Sequence, residues 1–374
     1  MFKEITIIVL VFALFYLGYI VFEHYYYNYL RKKIKKIIHV NGIRGKSTTT
    51  RLIDAGLRGC GLKVASKTTG TLPIYINTKG EEIRINRLGP ANIREQLKVL
   101  RRAVKDGCDY LVLECMAVNP ELQDICEHKM LHSDVVVITN VRHDHLDVMG
   151  EDLISIAKSL ANTVPSNGAL VLGEEIKDDL FCVFSDKANE LNTNVFKSSG
   201  EDTNYDFNTQ KENVNCAISV CKVLGLDEKL FIEGMKKYLP DPGAFSINKL
   251  SINDKLITFI NGFSINDPDS ILKIYNDLNY NHEDITLVLN ERGDRFFRTK
   301  QHLEMIDKMK FKRVLICGEN NKYIYNKLKG KNIDCLIIKK IDDIDFNNND
   351  IIFGIGNIKG FGFELIDYFK KGVK

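Results

Sequence analysis

Hydrophobic and polar positions divide the chain into two regimes. Residues 5–22 form an 18-residue run without a charge, about 27 Å long as a helix and close to the ~30 Å hydrocarbon core of a bilayer. From residue 36 onward, short apolar runs of strand length alternate with longer amphipathic ones. Strands are predicted over 36–40, 62–67, 109–114 and 134–140, and helices over 48–57, 93–104 and 152–162. Runs such as Tyr110–Leu113 and Val135–Ile138 are apolar throughout, as expected of strands buried on both faces of a parallel sheet. The alternation predicts an α/β fold, with ligands gathered at the carboxyl ends of the strands.

Leu239-Pro240-Asp241-Pro242-Gly243 interrupts this pattern, because two prolines and a glycine cannot continue a helix. Beyond it the alternation restarts, with strands expected over 256–260, 285–290, 313–317 and 351–354. Helices are expected over 269–278, 301–309 and 363–369. The predicted organisation is an N-terminal anchor (1–30), a larger α/β domain (31–240) and a smaller C-terminal α/β domain (241–374).

Charge refines the reading of the N-terminus. Tyr16, Tyr19 and Tyr25–Tyr27 suit an interfacial belt, and Arg31, Lys32, Lys33, Lys35 and Lys36 follow directly. The positive-inside rule then predicts a single-pass anchor in the cell membrane with the remaining chain in the cytoplasm. A cleaved signal peptide would carry its positive charge before the run and a small-residue cleavage site after it; the flank here is Glu23-His24-Tyr25-Tyr26-Tyr27. Elsewhere, a net charge of +3 and the lack of a basic stripe with interleaved aromatics argue against nucleic acid. Nine cysteines without a Cys-x-x-Cys pair fit a reducing compartment, not a disulfide framework or a zinc site.

The richest chemistry lies in residues 40–50, VNGIRGKSTTT. A strand running into a two-glycine loop and then a helix lets backbone N–H groups converge on phosphate oxygens at a helix N-terminus. In such a loop Lys46 reaches the β/γ-phosphates and the Ser47 hydroxyl ligates Mg²⁺. The spacing Gly42-x-x-Gly45-Lys46-Ser47 is tighter than the common form, and ordinary turn chemistry is the competing explanation. A second polar cluster, ITNVRHDHLDVMG at 138–150, sets Asp144, His145 and Asp147 at a strand's carboxyl end. These are competent divalent-metal donors; the alternative is a surface loop. Glu114 ends its apolar strand in the same way, as a crevice carboxylate or a surface one.

Taken together, these motifs resemble the Mur-ligase family of ATP-dependent amide ligases, and within it the ligase subunits of bacterial poly-γ-glutamate synthases. The closer likeness rests on KTTGTLP (67–73), GPANIREQ (89–96), LVLECMAVNPELQ (111–123), FINGFSINDPDS (259–270), LNERGDR (289–295) and GIGNIKGFG (354–362). It covers the chain from about residue 36 to its end, and an N-terminal span is typical of those subunits. The resemblance implies a P-loop central domain and a C-terminal ligase domain that form γ-glutamyl bonds through an acyl-phosphate, with ATP and Mg²⁺. Asn41, Gly42, Gly45, Lys46, Ser47, Thr48 and Asn213 would contact nucleotide, joined by Asp294 and Arg295 from the C-terminal domain. Ser47, Thr69, Glu114 and His145 would serve metal ions. Gln210 stands where the family usually has Asn. Implied partners are glutamate, the growing polymer and further membrane subunits. A membrane-tethered export ATPase and a folylpolyglutamate-synthase-like ligase are the competing functions.

Overall fold

The computed structural model describes residues 2–70, 72–87, 89–198, 209–241, 243–265 and 268–371. It divides into two compact units, Met1–Asp241 and Pro242–Lys374.

The first unit opens with one continuous helix, Phe2–Lys32. It is longer than the apolar run alone, and the described apolar side chains as far as Phe22 are exposed. Its last turns are built into the body. Leu30 joins a core with Ile34, Ile37, Leu97 and Leu100, and Tyr26 and Tyr27 pack against that core. Arg31 donates to the carbonyls of Leu131 (2.8 Å) and His132 (2.9 Å) and pairs with Asp134 at 2.6 Å.

The strands of this unit are β1 (Lys36–Asn41), β2 (Val64–Thr68), β3 (Ile74–Ile76), β4 (Glu82–Arg84), β5 (Tyr110–Glu114), β6 (Val135–Ile138), β7 (Ala169–Leu172) and β8 (Asn194–Lys197). They form one sheet in the order β4-β3-β2-β5-β1-β6-β7-β8. Strands from β2 to β8 pair in parallel, while β3 and β4 add an antiparallel edge. The sheet is therefore mixed, where the apolar runs alone predict a parallel one. Strands of three residues leave too short a pattern to read. β6 also stops at Ile138, two residues before the predicted end, because Thr139 and Asn140 bond to the backbone of the neighbouring loop instead.

β1 lies between β5 and β6. The chain leaves its carboxyl end and enters the helix Lys46–Gly59, which begins two residues earlier than expected. Register places Val40 opposite Glu114 and Asn41 opposite Ile138. The ends of three strands therefore meet at the loop. On one face of the sheet, Leu52, Ile53 and Leu57 pack with Val214, Phe231 and Met235 from the helices Lys211–Val223 and Glu228–Met235.

The second unit holds β9 (Ser246–Ile252), β10 (Lys255–Asn261), β11 (Ile285–Glu291), β12 (Arg313–Gly318), β13 (Cys335–Ile337) and β14 (Ile351–Gly356), ordered β13-β12-β11-β14-β10-β9. Only the β9–β10 pairing is antiparallel. Its helix Phe296–Ile306 starts five residues before the predicted 301–309. Thr299 and His302 on that helix hold the buried Glu291 at the end of β11, so the polar residues that mask the pattern face inward.

Candidate active site

The loop after β1 turns on two glycines in the left-handed half of backbone space, Gly42 at φ 121° and Gly45 at φ 81°. Gly45 has a second reason to lack a side chain, since a Cβ there would lie 2.1 Å from Asn213 Oδ1. Asn213, on the helix Lys211–Val223, thus sits directly against the loop, where it also accepts from Thr49 Oγ1 at 3.3 Å. The far side of the loop is held by the two residues that follow β6. Thr139 Oγ1 and Asn140 Nδ2 donate to the Arg44 carbonyl at 2.6 and 3.1 Å, and the Arg44 amide donates to Asn140 Oδ1 at 3.0 Å. Lys46 Nζ bridges the carbonyls of Gly42 (2.7 Å) and Ile43 (3.2 Å), so the loop curls around its own ammonium.

Ser47, in the first turn of the helix, donates to Glu114 Oε2 at 2.8 Å. The Thr69 amide donates to the same oxygen at 2.6 Å. Glu114 is buried at the end of β5, and Gln96 Nε2 fixes its carbonyl at 2.9 Å. A Cβ on Gly70 would come within 2.7 Å of both Ser47 Oγ and Asp241 Oδ2, which puts Asp241 beside this cluster as well. Behind it, the fully buried Lys67 pairs with Glu95 at 2.9 Å, and Arg87 grips Glu95 with two bonds of 2.6 and 2.9 Å. Burial pushes Lys67 below the ordinary lysine range against the pull of Glu95 and Glu114. For Glu95, burial is outweighed by Arg87 and Lys67, and its pKa falls to about 2. Charged groups of both signs are thus packed together behind Glu114.

The predicted residues divide by position. Gly42, Gly45, Lys46, Ser47, Thr69, Glu114 and Asn213 are joined by the contacts above, and the half-buried Thr48 lies in the same first helical turn. Asn41 is buried, its side chain donating to Gln123 Oε1 (2.9 Å) and Thr163 Oγ1 (3.2 Å) and accepting from the Gly42 amide, so it shapes the loop from beneath. His145 is half exposed at φ 51°, 4.0 Å from Asp144, which in turn pairs with Arg44 at 3.4 Å. In the second unit, Asp294 pairs with Arg292 at 2.5 Å in the turn after β11, Gly293–Arg295. The side chain of Arg295 lies outside the described residues.

Among the described residues, no three His, Cys, Asp or Glu side chains form a metal cage. The donors present fit Mg²⁺ nonetheless. That ion takes few protein ligands, usually one or two carboxylates, and fills its shell with water and substrate phosphate. Glu114 supplies one such carboxylate, with the Ser47 hydroxyl 2.8 Å from it.

Sequence reasoning overlooked Gln96, Thr139, Lys67 and Asp241. It also overlooked a buried pair beneath the loop, His39 Nδ1 to Glu127 Oε2 at 2.8 Å, with Ser133 donating to the other carboxylate oxygen. Burial opposes a charged imidazole at His39, yet Cys115 and Glu127 raise its pKa to about 10. A histidine within the apolar string KIIHVN was the available signal.

Residues 40–233 match the Mur ligase middle domain, and residues 247–372 match the poly-gamma-glutamate synthase CapB C-terminal domain. The PGA synthase CapB of Bacillus subtilis (strain 168) is 35% identical over 353 residues, spanning 88% of this chain and 89% of that protein. The chain belongs to the CapB family of poly-γ-glutamate synthases. The capsule biosynthesis protein CapB of Bacillus anthracis is 34% identical over 353 residues, covering 88% of this chain and 75% of its own length. Among solved structures, a folylpolyglutamate synthase from Thermotoga maritima superposes with a TM-score of 0.67 at 18% identity, covering 96% of this chain and 98% of that one. A Yersinia pestis folylpolyglutamate synthase/dihydrofolate synthase complexed with AMPPNP and Mn ion gives 0.66 at 17% identity, covering 92% and 90%. At these identities the structural likeness is one of fold. It agrees with the Mur-ligase-like α/β architecture expected of a CapB relative.

Proposed function

We propose that this chain is an ATP-dependent amide ligase that forms γ-glutamyl bonds in poly-γ-glutamate synthesis. The observation that carries the reading is the phosphate-type loop wrapped around Lys46 with Ser47 held to Glu114, in a chain of the CapB family. A carboxylate is a poor acylating agent, so its activation must come first. Transfer of the γ-phosphoryl group to the γ-carboxylate gives an acyl-phosphate and ADP; attack by the amino group of glutamate expels phosphate and leaves the amide. Lys46 would exchange its loop carbonyls for β/γ-phosphate oxygens and offset the charge that gathers there. Loop amides and the helix N-terminus would hold the remaining phosphate oxygens. Bound at Ser47 and Glu114, Mg²⁺ would neutralise phosphate charge, with Thr69 orienting the Glu114 carboxylate and His145 serving a second ion. Asn213 would meet the nucleotide, and Asp294 and Arg295 would act on it from the C-terminal unit.

The cellular setting is part of the same reading. The exposed apolar helix is long enough to cross a bilayer. With the basic residues after it, this supports a single-pass protein whose ligase units face the cytoplasm, working with other membrane subunits.

The test is incubation of the full chain with Mg-ATP, glutamate, a glutamate-chain acceptor and hydroxylamine. Hydroxamate that depends on ATP and on a carboxylate substrate, with ADP as co-product, is expected. AMP and pyrophosphate would show an adenylate and defeat the mechanism. Phosphate release indifferent to any amine would instead favour a transport ATPase.

A further inference from the structure

The helix Glu95–Lys105 has an outer face of a single sign. Arg94, Lys98, Arg101, Arg102 and Lys105 are all exposed, and at about 100° per residue they fall within roughly 100° of arc. Leu97, Val99, Leu100 and Ala103 bury the other side. The nearby acids are already engaged: Glu95 with Lys67 and Arg87, Asp106 with the Tyr75 hydroxyl, Glu23 with Arg94. Arg102 lies over the Tyr75 ring. Lys98, Arg101 and Lys105 have no ion-pair partner among the described residues. Such a cluster repels itself unless an anionic surface faces it.

The N-terminal helix indicates which surface that is. Tyr26 and Tyr27 pack into the same core as Leu97 and Leu100, so the two helices are neighbours. Arg94 pairs with Glu23, the residue directly after the apolar run ends at Phe22. When residues 5–22 fill a bilayer, Arg94 therefore stands at headgroup level, with the basic face running on from it. We propose that this face docks on anionic lipid headgroups of the membrane that the N-terminal helix enters. The proposal rests on reading that helix as a span. Its chemistry is that of a juxtamembrane polybasic segment, here folded into a helix of the catalytic unit.

The experiment uses the full chain in nanodiscs of phosphatidylcholine, with or without phosphatidylserine. A water-soluble acetylating reagent probes the lysines, and mass spectrometry reads Lys98 and Lys105 against the exposed Lys229. Phosphatidylserine should slow acetylation of Lys98 and Lys105 about five-fold, leave Lys229 unchanged, and lose its effect in ~1 M salt. Lys98→Glu with Arg101→Glu should abolish the protection of Lys105 without changing ATP-dependent turnover in detergent. Equal rates in both lipids would overturn the proposal. So would protection by added poly-γ-glutamate in neutral discs with no lipid effect, which would assign the face to the polymer. A chain that fails to enter discs at all would instead overturn the span itself, and the docking with it.

Discussion

Ser47 donates its hydroxyl to Glu114 across 2.8 Å, although 67 residues separate them in sequence. The contact exists because β1 and β5 are adjacent and parallel, with Val40 in register with Glu114. A strand-end carboxylate is thereby brought onto the first turn of the phosphate-loop helix. Under the proposed function, both oxygens would serve as donors to Mg²⁺ when nucleotide is bound.

Glu114→Gln should therefore lower turnover by about 10²–10³-fold, the scale of losing one preorganised electrostatic contact. Nucleotide affinity should change little. Mg²⁺ titrations of the ligation rate, beside nucleotide binding by calorimetry, check this. An unchanged Mg²⁺ requirement would return Glu114 to a purely structural role.

Lys46→Ala removes the ammonium that the Gly42 and Ile43 carbonyls enclose. Product formation should fall at least about 10³-fold, while circular dichroism stays that of the wild type. Activity within a few-fold of wild type would refute the phosphate assignment.

Gly45→Ala meets two obstacles, a left-handed backbone at φ 81° and the Asn213 side chain at 2.1 Å. The backbone term alone is about 1–2 kcal/mol. Adding Asn213→Ala should relieve the collision but not the backbone strain, so the double variant should recover part of the melting temperature lost by Gly45→Ala. Full recovery would mean that the left-handed geometry costs nothing.

The His39–Glu127 pair predicts a pH dependence. His39 has a folded pKa of about 10 against an ordinary 6.5, so its contribution is complete below pH 6.5 and is lost as pH rises through about 10. Glu127 is shifted below 4.5: burial raises it, but the bonds from His39 and Ser133 prevail, and its contribution is lost as pH falls through the lowered value. His39→Leu strands a buried carboxylate and should cost about 3–5 kcal/mol. His39→Leu with Glu127→Gln should lie much closer to wild type and lose the alkaline slope. Thermal unfolding in detergent across pH 6–10.5, roughly the window set by linkage, would read both.

What the sequence discloses follows from the range of each signal. The phosphate loop, β5 and the carboxylate at its end are legible because each is a local pattern of a few residues. The β3–β4 edge is not, since strands of three residues carry no periodicity. Asp241 illustrates a different limit: it comes to lie beside Gly70 and Ser47 from a remote part of the chain, and only packing brings it there. The π-helical turn Cys126–Leu131 is invisible for a third reason: its residues suit an ordinary helix, and its buried Glu127 meets His39, a residue distant in sequence.

The junction after the N-terminal helix has a mechanical consequence. Only three residues separate Lys32 from β1, and Arg31 is clamped to Leu131, His132 and Asp134. β1 then runs six residues to the loop, about 20 Å at strand rise. Such a joint transmits tilt and rotation, unlike a leash. With the helix in a bilayer, the phosphate loop is carried at a set height and heading, and every bond it helps to make is made in one thin layer over the lipid.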